Sequence, residues 1–123
     1  MPQPASMLGL PRTRRVKTGR DFARLRSDGR RLVYGCLILN WLPLSAGTTA
    51  RLGVITSRKV GTAVTRSRSR RLLREAFRLH QGELNCPVDL VLVARPSIAG
   101  KTGGEVQRDY LKALELARLR KKT

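Results

Sequence analysis

The sequence predicts one α+β domain, a single sheet with helices packed mainly on one of its faces. Three observations carry that expectation. A chain of 123 residues with 41% hydrophobic side chains is the size of one domain, long enough to take most of its apolar surface out of water. Apolar positions recur at helical spacing in three stretches and at strand spacing in three others. The two kinds alternate in the order α, β, β, α, β, α, with two strands in succession and then a helix between strands, which is the signature of a small two-layer sandwich.

The first helix is expected over about residues 19–27. Thr18 followed three residues later by Asp21 gives an imperfect capping box, Phe22 and Leu25 make a short apolar stripe, and Gly29 closes it. Residues 33–42 form one apolar strand, ended by Pro43 and the loose turn from Ser45 to Thr49. Residues 51–57 make a second strand, its expected hairpin partner. Alternation there puts Leu52, Val54 and Thr56 on one face, and Gly53, Ile55 and Ser57 on the other.

The segment from Arg58 to Arg78 dominates the chain, with eight Lys or Arg and one acid, Glu75. Residues 58–65 read as loop. From Arg66 onward, Arg66, Arg70, Arg74 and Arg78 follow at four-residue spacing with Arg71 beside them, while Leu72, Leu73, Ala76 and Leu79 fall on the other side. Like charges in that register repel by a few tenths of a kcal/mol per pair. A solvated charge face normally carries both signs, so a stripe of one sign is the footprint of a phosphate surface.

A break at Gly82 and Pro87 precedes residues 88–94, expected to be a central strand, and Ser97 to Gly104 reads as loop. Thr102 and Glu105 have capping-box spacing, and Val106, Tyr110, Leu111, Leu114 and Ala117 mark the core face of a last helix over about residues 104–119. Its basic end, Arg118 to Lys122, suits the negative helix terminus.

A formal charge of +18, from 26 Lys and Arg against 8 Asp and Glu, points to a polyanion, nucleic acid before membrane. No apolar run approaches a membrane span, and the lone Trp41 is not on the basic helix, as a membrane-surface helix would favour. Residues 1–11 are expected to be a flexible basic arm, 12–119 the folded domain and 120–123 a basic tail. In the first 18 residues the charges follow the apolar stretch instead of preceding it, the wrong order for a secretory signal, so the expected compartment is the cytoplasm. Cys36 and Cys86 lie 50 residues apart without metal-ligand spacing and are read as reduced thiols. His80 reads as a packing or capping residue. The eight acids form no cluster in sequence of the kind that holds Mg²⁺, so neither a catalytic nor a metal site is expected in the polypeptide. Asp21 and Glu75 read instead as a helix-start residue and an ion-pair partner within the Arg helix.

The run Arg58-Lys59-Val60-Gly61-Thr62-Ala63-Val64-x-Arg66-Ser67-x-x-Arg70-Arg71-x-x-Arg74-Glu75-x-x-Arg78 resembles the signature of the protein component of bacterial ribonuclease P, approximately S-[KR]-K-x-G-x-A-V-x-R-N-x-x-K-R-x-x-R-E-x-x-R. Asp21-Phe22, Gly29, Arg51-x-Gly53, Asp89-Leu90-Val91 and Ala94-Arg95-Pro96 agree in order, so the likeness spans about residues 12–119. Ser67 stands where that family usually has Asn; it keeps an N-capping side chain but loses an amide. Arg70 replaces the usual Lys, and Arg26 replaces a second aromatic common among relatives.

The resemblance implies the αβββαβα sandwich of a ribosomal-protein second domain, with a left-handed βαβ crossover. It implies a subunit of an endoribonuclease that removes the 5′ leader of precursor tRNA, with Mg²⁺ held mainly by the catalytic RNA subunit and no organic cofactor. The implied partners are that RNA subunit and precursor tRNA, with no membrane and no obligate protein partner. RNA-subunit contacts fall to Arg58, Lys59, Arg66, Ser67, Arg68, Arg70, Arg71, Arg74 and Arg78. Leader contacts fall to Arg15, Lys17, Phe22, Arg26, Tyr34 and Thr56, in a cleft between the first helix and the sheet; from the residues alone, Tyr34 reads rather as a core residue and Phe22 equally well as a core anchor. A ribosomal or RNA-chaperone protein without a role in tRNA maturation is the alternative, and a helix-turn-helix DNA binder is disfavoured because no helix is expected just before the Arg helix.

Overall fold

Three helices and four strands follow one another along residues 19–121, the part of the chain described by the computed structural model: α1 (Gly19–Asp28), β1 (Arg30–Tyr34), β2 (Leu37–Pro43), β3 (Arg51–Ile55), α2 (Ala63–Leu79), β4 (Val88–Ala94) and α3 (Gly103–Leu116). Short 3₁₀ turns at Arg58–Val60, Gln81–Glu83 and Pro96–Ile98 link them. The sheet order is β1-β2-β4-β3. β1 and β4 run antiparallel to β2, whereas β3 pairs parallel to β4, so α2 is the crossover between two parallel neighbours.

Along β2, Leu37, Leu39 and Trp41 are buried while Ile38, Asn40 and Leu42 are half-buried, because alternate side chains leave a strand on opposite faces. Pairing extends the first set across the sheet: Leu39 opposes Leu92, Trp41 opposes Leu90, and Leu52 lies beside Leu90. α2 covers this face with Leu73, Ala76 and Phe77, and α3 with Val106, Tyr110, Ala113 and Leu114. Each large apolar side chain taken out of water contributes about 1.5–3 kcal/mol. Burial pushes the Tyr110 phenol upward, and its hydroxyl has no hydrogen-bond partner among the described residues. α1 lies on the other face, where Leu25 packs on Val91 beside Leu42 and Val93.

The expected single strand over 33–42 is two. The chain reverses at Gly35-Cys36, so Tyr34 pairs with Leu37 and the hairpin joins β1 to β2. Gly35 has φ 56°, the conformation the first position of a two-residue hairpin turn requires. A side chain there would also strike the Asp109 carboxylate, which accepts the Cys36 N–H at 3.0 Å and docks the turn onto α3. Residues 51–55 are therefore not the hairpin partner of the preceding strand. They pair with β4, where Arg51 faces Asp89 in the register and closes a two-pronged ion pair, Nε to Oδ1 at 2.9 Å and Nη2 to Oδ2 at 2.7 Å.

α2 begins at Ala63, not near Arg66: Thr62 is the N-cap, its side chain accepting the Thr65 N–H. Ser67 thus sits inside the helix and is not a cap. The expected core face is also rotated. Ser69, Leu73, Ala76 and Phe77 are buried, Leu72 is half-buried and Leu79 is 50% exposed. Ser69 tolerates burial because its hydroxyl donates to the Thr65 carbonyl at 2.8 Å.

α3 has the full capping box, with Thr102 and Glu105 exchanging bonds; the Thr102 backbone N–H, first among several causes, holds the Glu105 carboxyl below its usual range. It ends at Leu116 instead of 119, and its core face takes Ala113 with Val106, Tyr110 and Leu114, Leu111 and Ala117 being only half-buried. Beyond it Arg118 adopts φ 61°, and the chain turns back so that Arg120 bridges to Leu84 and pairs with Glu83 at 3.0 Å. The Lys121 N–H reaches the Glu83 carbonyl at 2.7 Å. Arg120 and Lys121 consequently belong to the folded unit and not to a tail. The expected arm over 1–11 lies outside the described residues.

Candidate RNA-binding surfaces

Two surfaces stand out, one on α2 and one on the sheet face that α1 covers only in part. On α2, burial of Ser69, Leu73, Ala76 and Phe77 turns Ser67, Arg71 and Arg74 outward. Arg66, Arg68, Arg70 and Arg78 are half-buried on the flanks, so in the four-residue row of arginines only Arg74 is exposed and the row does not form one exposed stripe. The Arg66 Nε is buried without a hydrogen-bond partner among the described residues.

Two of the flanking guanidiniums are tethered. Arg70 donates from Nη1 to the Thr56 hydroxyl at 2.8 Å and from Nη2 to the Ser67 hydroxyl at 3.2 Å. Arg68 donates from Nη2 to the Lys101 carbonyl at 2.7 Å. Arg58 and Lys59 are exposed on the 3₁₀ turn that Val60 anchors in the core. Among the described residues Glu75 forms no ion pair, contrary to expectation. His80 caps α2, and its Nε2 lies 2.9 Å from Gln107 Oε1, which ties α2 to α3.

On the opposite side of the sheet, a cleft of about 370 Å³ is lined by Leu25, Ile38, Ile55, Val91 and Val93, with Arg31 and Asn40 as its polar groups. The Asn40 amide donates to the Val91 carbonyl at 3.3 Å, and among the described residues its side-chain oxygen has no donor and can accept. The register aligns these residues: Arg31 opposes Asn40, Ile38 opposes Val93, and Ile55 lies beside Val93.

The expected leader residues divide. Arg15 and Lys17 lie outside the described residues. Phe22 and Arg26 are on α1, but their side chains are outside the described part. Tyr34 is not in the cleft: it is half-buried against the core on the side of α2 and α3, because the residues that reach the cleft from β1 are of the parity of Arg31. Thr56 lies beyond the end of β3, bonded to Arg70, and so joins the α2 surface. Sequence reasoning missed Arg31, Ile38, Asn40, Ile55, Val91 and Val93 as one site. The signal was present in the alternation, but only the strand order brings the four strands' residues together.

Neither surface has the makings of a metal centre: among the described residues no group of three His, Cys, Asp or Glu side chains could hold an ion. Cys36 and Cys86 are free. Burial, reinforced by Asp109, pushes the Cys36 thiol up to about 12. No helix among the described residues is long and apolar enough to cross a membrane.

Comparison with known proteins places these surfaces in context. A family model described as Ribonuclease P matches residues 10–118. The chain is 41% identical over 102 residues to the ribonuclease P protein component of Desulfovibrio desulfuricans, which covers 82% of this chain and 75% of that one. It is 38% identical over 111 residues to the ribonuclease P protein component of Gluconacetobacter diazotrophicus, covering 89% of this chain and 95% of the other. Among solved structures, the RNase P protein of Staphylococcus aureus superposes with a TM-score of 0.78 at 25% identity, over 88% of this chain and 98% of that one. The protein from Thermotoga maritima does so at 0.73 and 25%, over 83% and 96%.

Proposed function

Since the chain belongs to the ribonuclease P protein family, the protein subunits of a tRNA-processing endoribonuclease with an RNA partner, we propose that its two surfaces divide the work of that particle. The α2 surface, with Arg58 and Lys59, neutralises the folded RNA subunit. The cleft beside α1 holds the single-stranded 5′ leader of precursor tRNA. The observation that carries this reading is the separation of the two: a guanidinium-rich helix on one side of the sheet, and on the other an apolar cleft with one cation and one free amide oxygen.

Each surface suits its ligand chemically. Folded RNA presents phosphate oxygens, for which arginine offers a planar fork of donors. A leader offers unstacked bases, which need an apolar floor and a few polar groups at their edges. The polypeptide contributes no nucleophile or metal ligand set in this reading. Mg²⁺ is held mainly by the RNA subunit, and the protein acts by adding contacts that mature tRNA, lacking a leader, cannot make.

The test is 5′ leader cleavage at low Mg²⁺ by bacterial ribonuclease P RNA with and without the chain. Cleavage should rise with the protein, the holoenzyme should bind precursor more tightly than mature tRNA, and the chain alone should cut nothing. Equal binding of precursor and mature tRNA would refute the leader assignment. Family membership sets aside a ribosomal or chaperone protein without a role in tRNA maturation. A helix-turn-helix reading fails on the fold, since a strand and one 3₁₀ turn precede α2.

A further inference from the structure

β1 forms one edge of the sheet, and only alternate residues of its backbone are bonded. The Cys36 carbonyl accepts the Arg95 N–H, so Cys36 turns its peptide groups toward β4. By alternation Leu37 and Leu39 turn theirs toward β1, where they meet Tyr34 and Leu32 in the register. The N–H and C=O groups of Arg31 and Val33 consequently point away from the sheet, and among the described residues no other bond takes them up. The opposite edge differs: on β3, Leu52 and Gly53 are buried and Arg51 is clasped to Asp89.

The side chains along the β1 edge are as incomplete as its backbone. Val33 is 46% exposed, and Leu32 and Tyr34 are only half-buried at the margin of the core. Arg30 and Arg31 are exposed, and their cross-strand neighbours Trp41 and Asn40 are neutral. Among the described residues neither arginine forms an ion pair. Charge on an open strand edge normally keeps like chains apart. Here it turns away a second copy, which would bring the same cations, and leaves the edge open to a strand of opposite sign. RNA does not match the whole of it, because phosphates accept from N–H groups and give the outward carbonyls nothing.

We propose that the free edge of β1 is a docking site for an extended acidic segment of a partner protein, which joins the four-stranded sheet as an added strand. In an antiparallel addition the incoming strand sets apolar or β-branched residues against Tyr34, Val33 and Leu32, then carboxylates against Arg31 and Arg30. Because Arg31 also lines the cleft on the α1 side, occupation of the edge neutralises a cation at the rim of that cleft. The proposal stands on the sheet edge and does not depend on which RNA occupies either surface.

The experiment uses the full-length chain and a labelled, end-blocked peptide, Val-Thr-Val-Glu-Glu, with binding followed by fluorescence anisotropy across a salt series. Val-Pro-Val-Glu-Glu is the control of equal charge that lacks the N–H facing the Val33 carbonyl. The parent peptide should bind saturably, and the proline peptide about threefold to tenfold more weakly. Arg30→Gln/Arg31→Gln should weaken the parent peptide about threefold to tenfold at low salt and reduce its salt dependence. Val33→Pro removes only the outward N–H, at a place where an edge strand accepts proline, and should weaken the parent peptide by a similar factor with the circular dichroism unchanged. Should that variant not fold, the two peptides on the wild-type chain still decide. Hydrogen exchange should show the Arg31 and Val33 amides protected by the parent peptide and not by the proline peptide. Absence of saturable binding, affinities of the two peptides within about twofold, or unchanged exchange at Arg31 and Val33 would overturn the proposal. So would Arg30→Gln/Arg31→Gln losing a leader oligonucleotide while keeping the peptide, which would give the edge to RNA.

Discussion

Replacing Asp89 by Asn should loosen β3 from the sheet at a measurable cost in stability. The Asp89 side chain is 3% exposed and accepts two guanidinium bonds from Arg51, whose side chain is 27% exposed. Asn keeps the shape but loses the charge, and its NH₂ group turns a donor toward a donor. Breaking a fully buried pair from one side costs about 3–5 kcal/mol. Here the arginine is partly screened by solvent, which lowers the expectation to about 2–3 kcal/mol. In a domain of this size each kcal/mol moves the melting temperature by about 3–5 °C, so Asp89→Asn should melt roughly 6–15 °C lower. Thermal melts and urea titrations followed by circular dichroism read this directly. A cycle of Asp89→Asn, Arg51→Met and the double variant Arg51→Met/Asp89→Asn isolates the pair, and a coupling above about 1 kcal/mol is expected. A melting shift under about 2 °C for Asp89→Asn, or variants that add within about 0.5 kcal/mol, would refute the view that this pair fastens β3 to the sheet.

Three further outcomes are expected. The double variant Arg70→Ala/Arg71→Ala should flatten the salt dependence of RNA-subunit binding, by roughly 0.7–0.9 in log-log slope for each phosphate no longer neutralised, and an unchanged slope in filter binding would exclude this face. Gly35→Ala should destabilise by about 2–3 kcal/mol, from the positive φ and the displaced Asp109 bond, whereas Gly82→Ala, with open space around it and no positive φ, should stay within about 0.5 kcal/mol in urea unfolding. Cys36, with its thiol raised from 9.0 to about 12 chiefly by burial, stays protonated in the folded chain while an unfolded thiol ionises. Its contribution to stability is therefore intact below pH 9 and is lost as pH rises from 9 toward 12. A Cys36→Ala variant should lose less stability than wild type over that interval in pH-dependent urea titrations.

The elements that could be read from the sequence are those with local signals. The capping box of Thr102 and Glu105, the β-branched run 88–94 and the Asp28-Gly29 stop all fall where the residues place them. What was hidden depends on partners distant in sequence. The apolar stretch from Val33 to Leu42 carries no Asn-Gly or Asp-Gly mark, and only docking of Gly35-Cys36 onto Asp109 reveals the turn. Strand 51–55 could pair with either neighbour on pattern alone; the Arg51–Asp89 bond and the core position of Leu52 decide for β4. On α2, hydrophobicity marked Leu72 and Leu79, but the buried set includes a serine satisfied by its own helix, which a polarity pattern cannot show. The arginine-rich surface was plain because charge needs no partner to be seen. The cleft was not, since its lining comes from α1 and all four strands.

The bond from Arg70 to Thr56 spans from the middle of α2 to the residue just after Ile55, which forms one wall of the cleft on the far side of the sheet. With the proposed roles, a guanidinium that grips the ribozyme is bolted to the strand that guides the substrate. On those roles, the two RNAs are held a single sheet's thickness apart, with this bond reaching from one ligand's surface to the border of the other's.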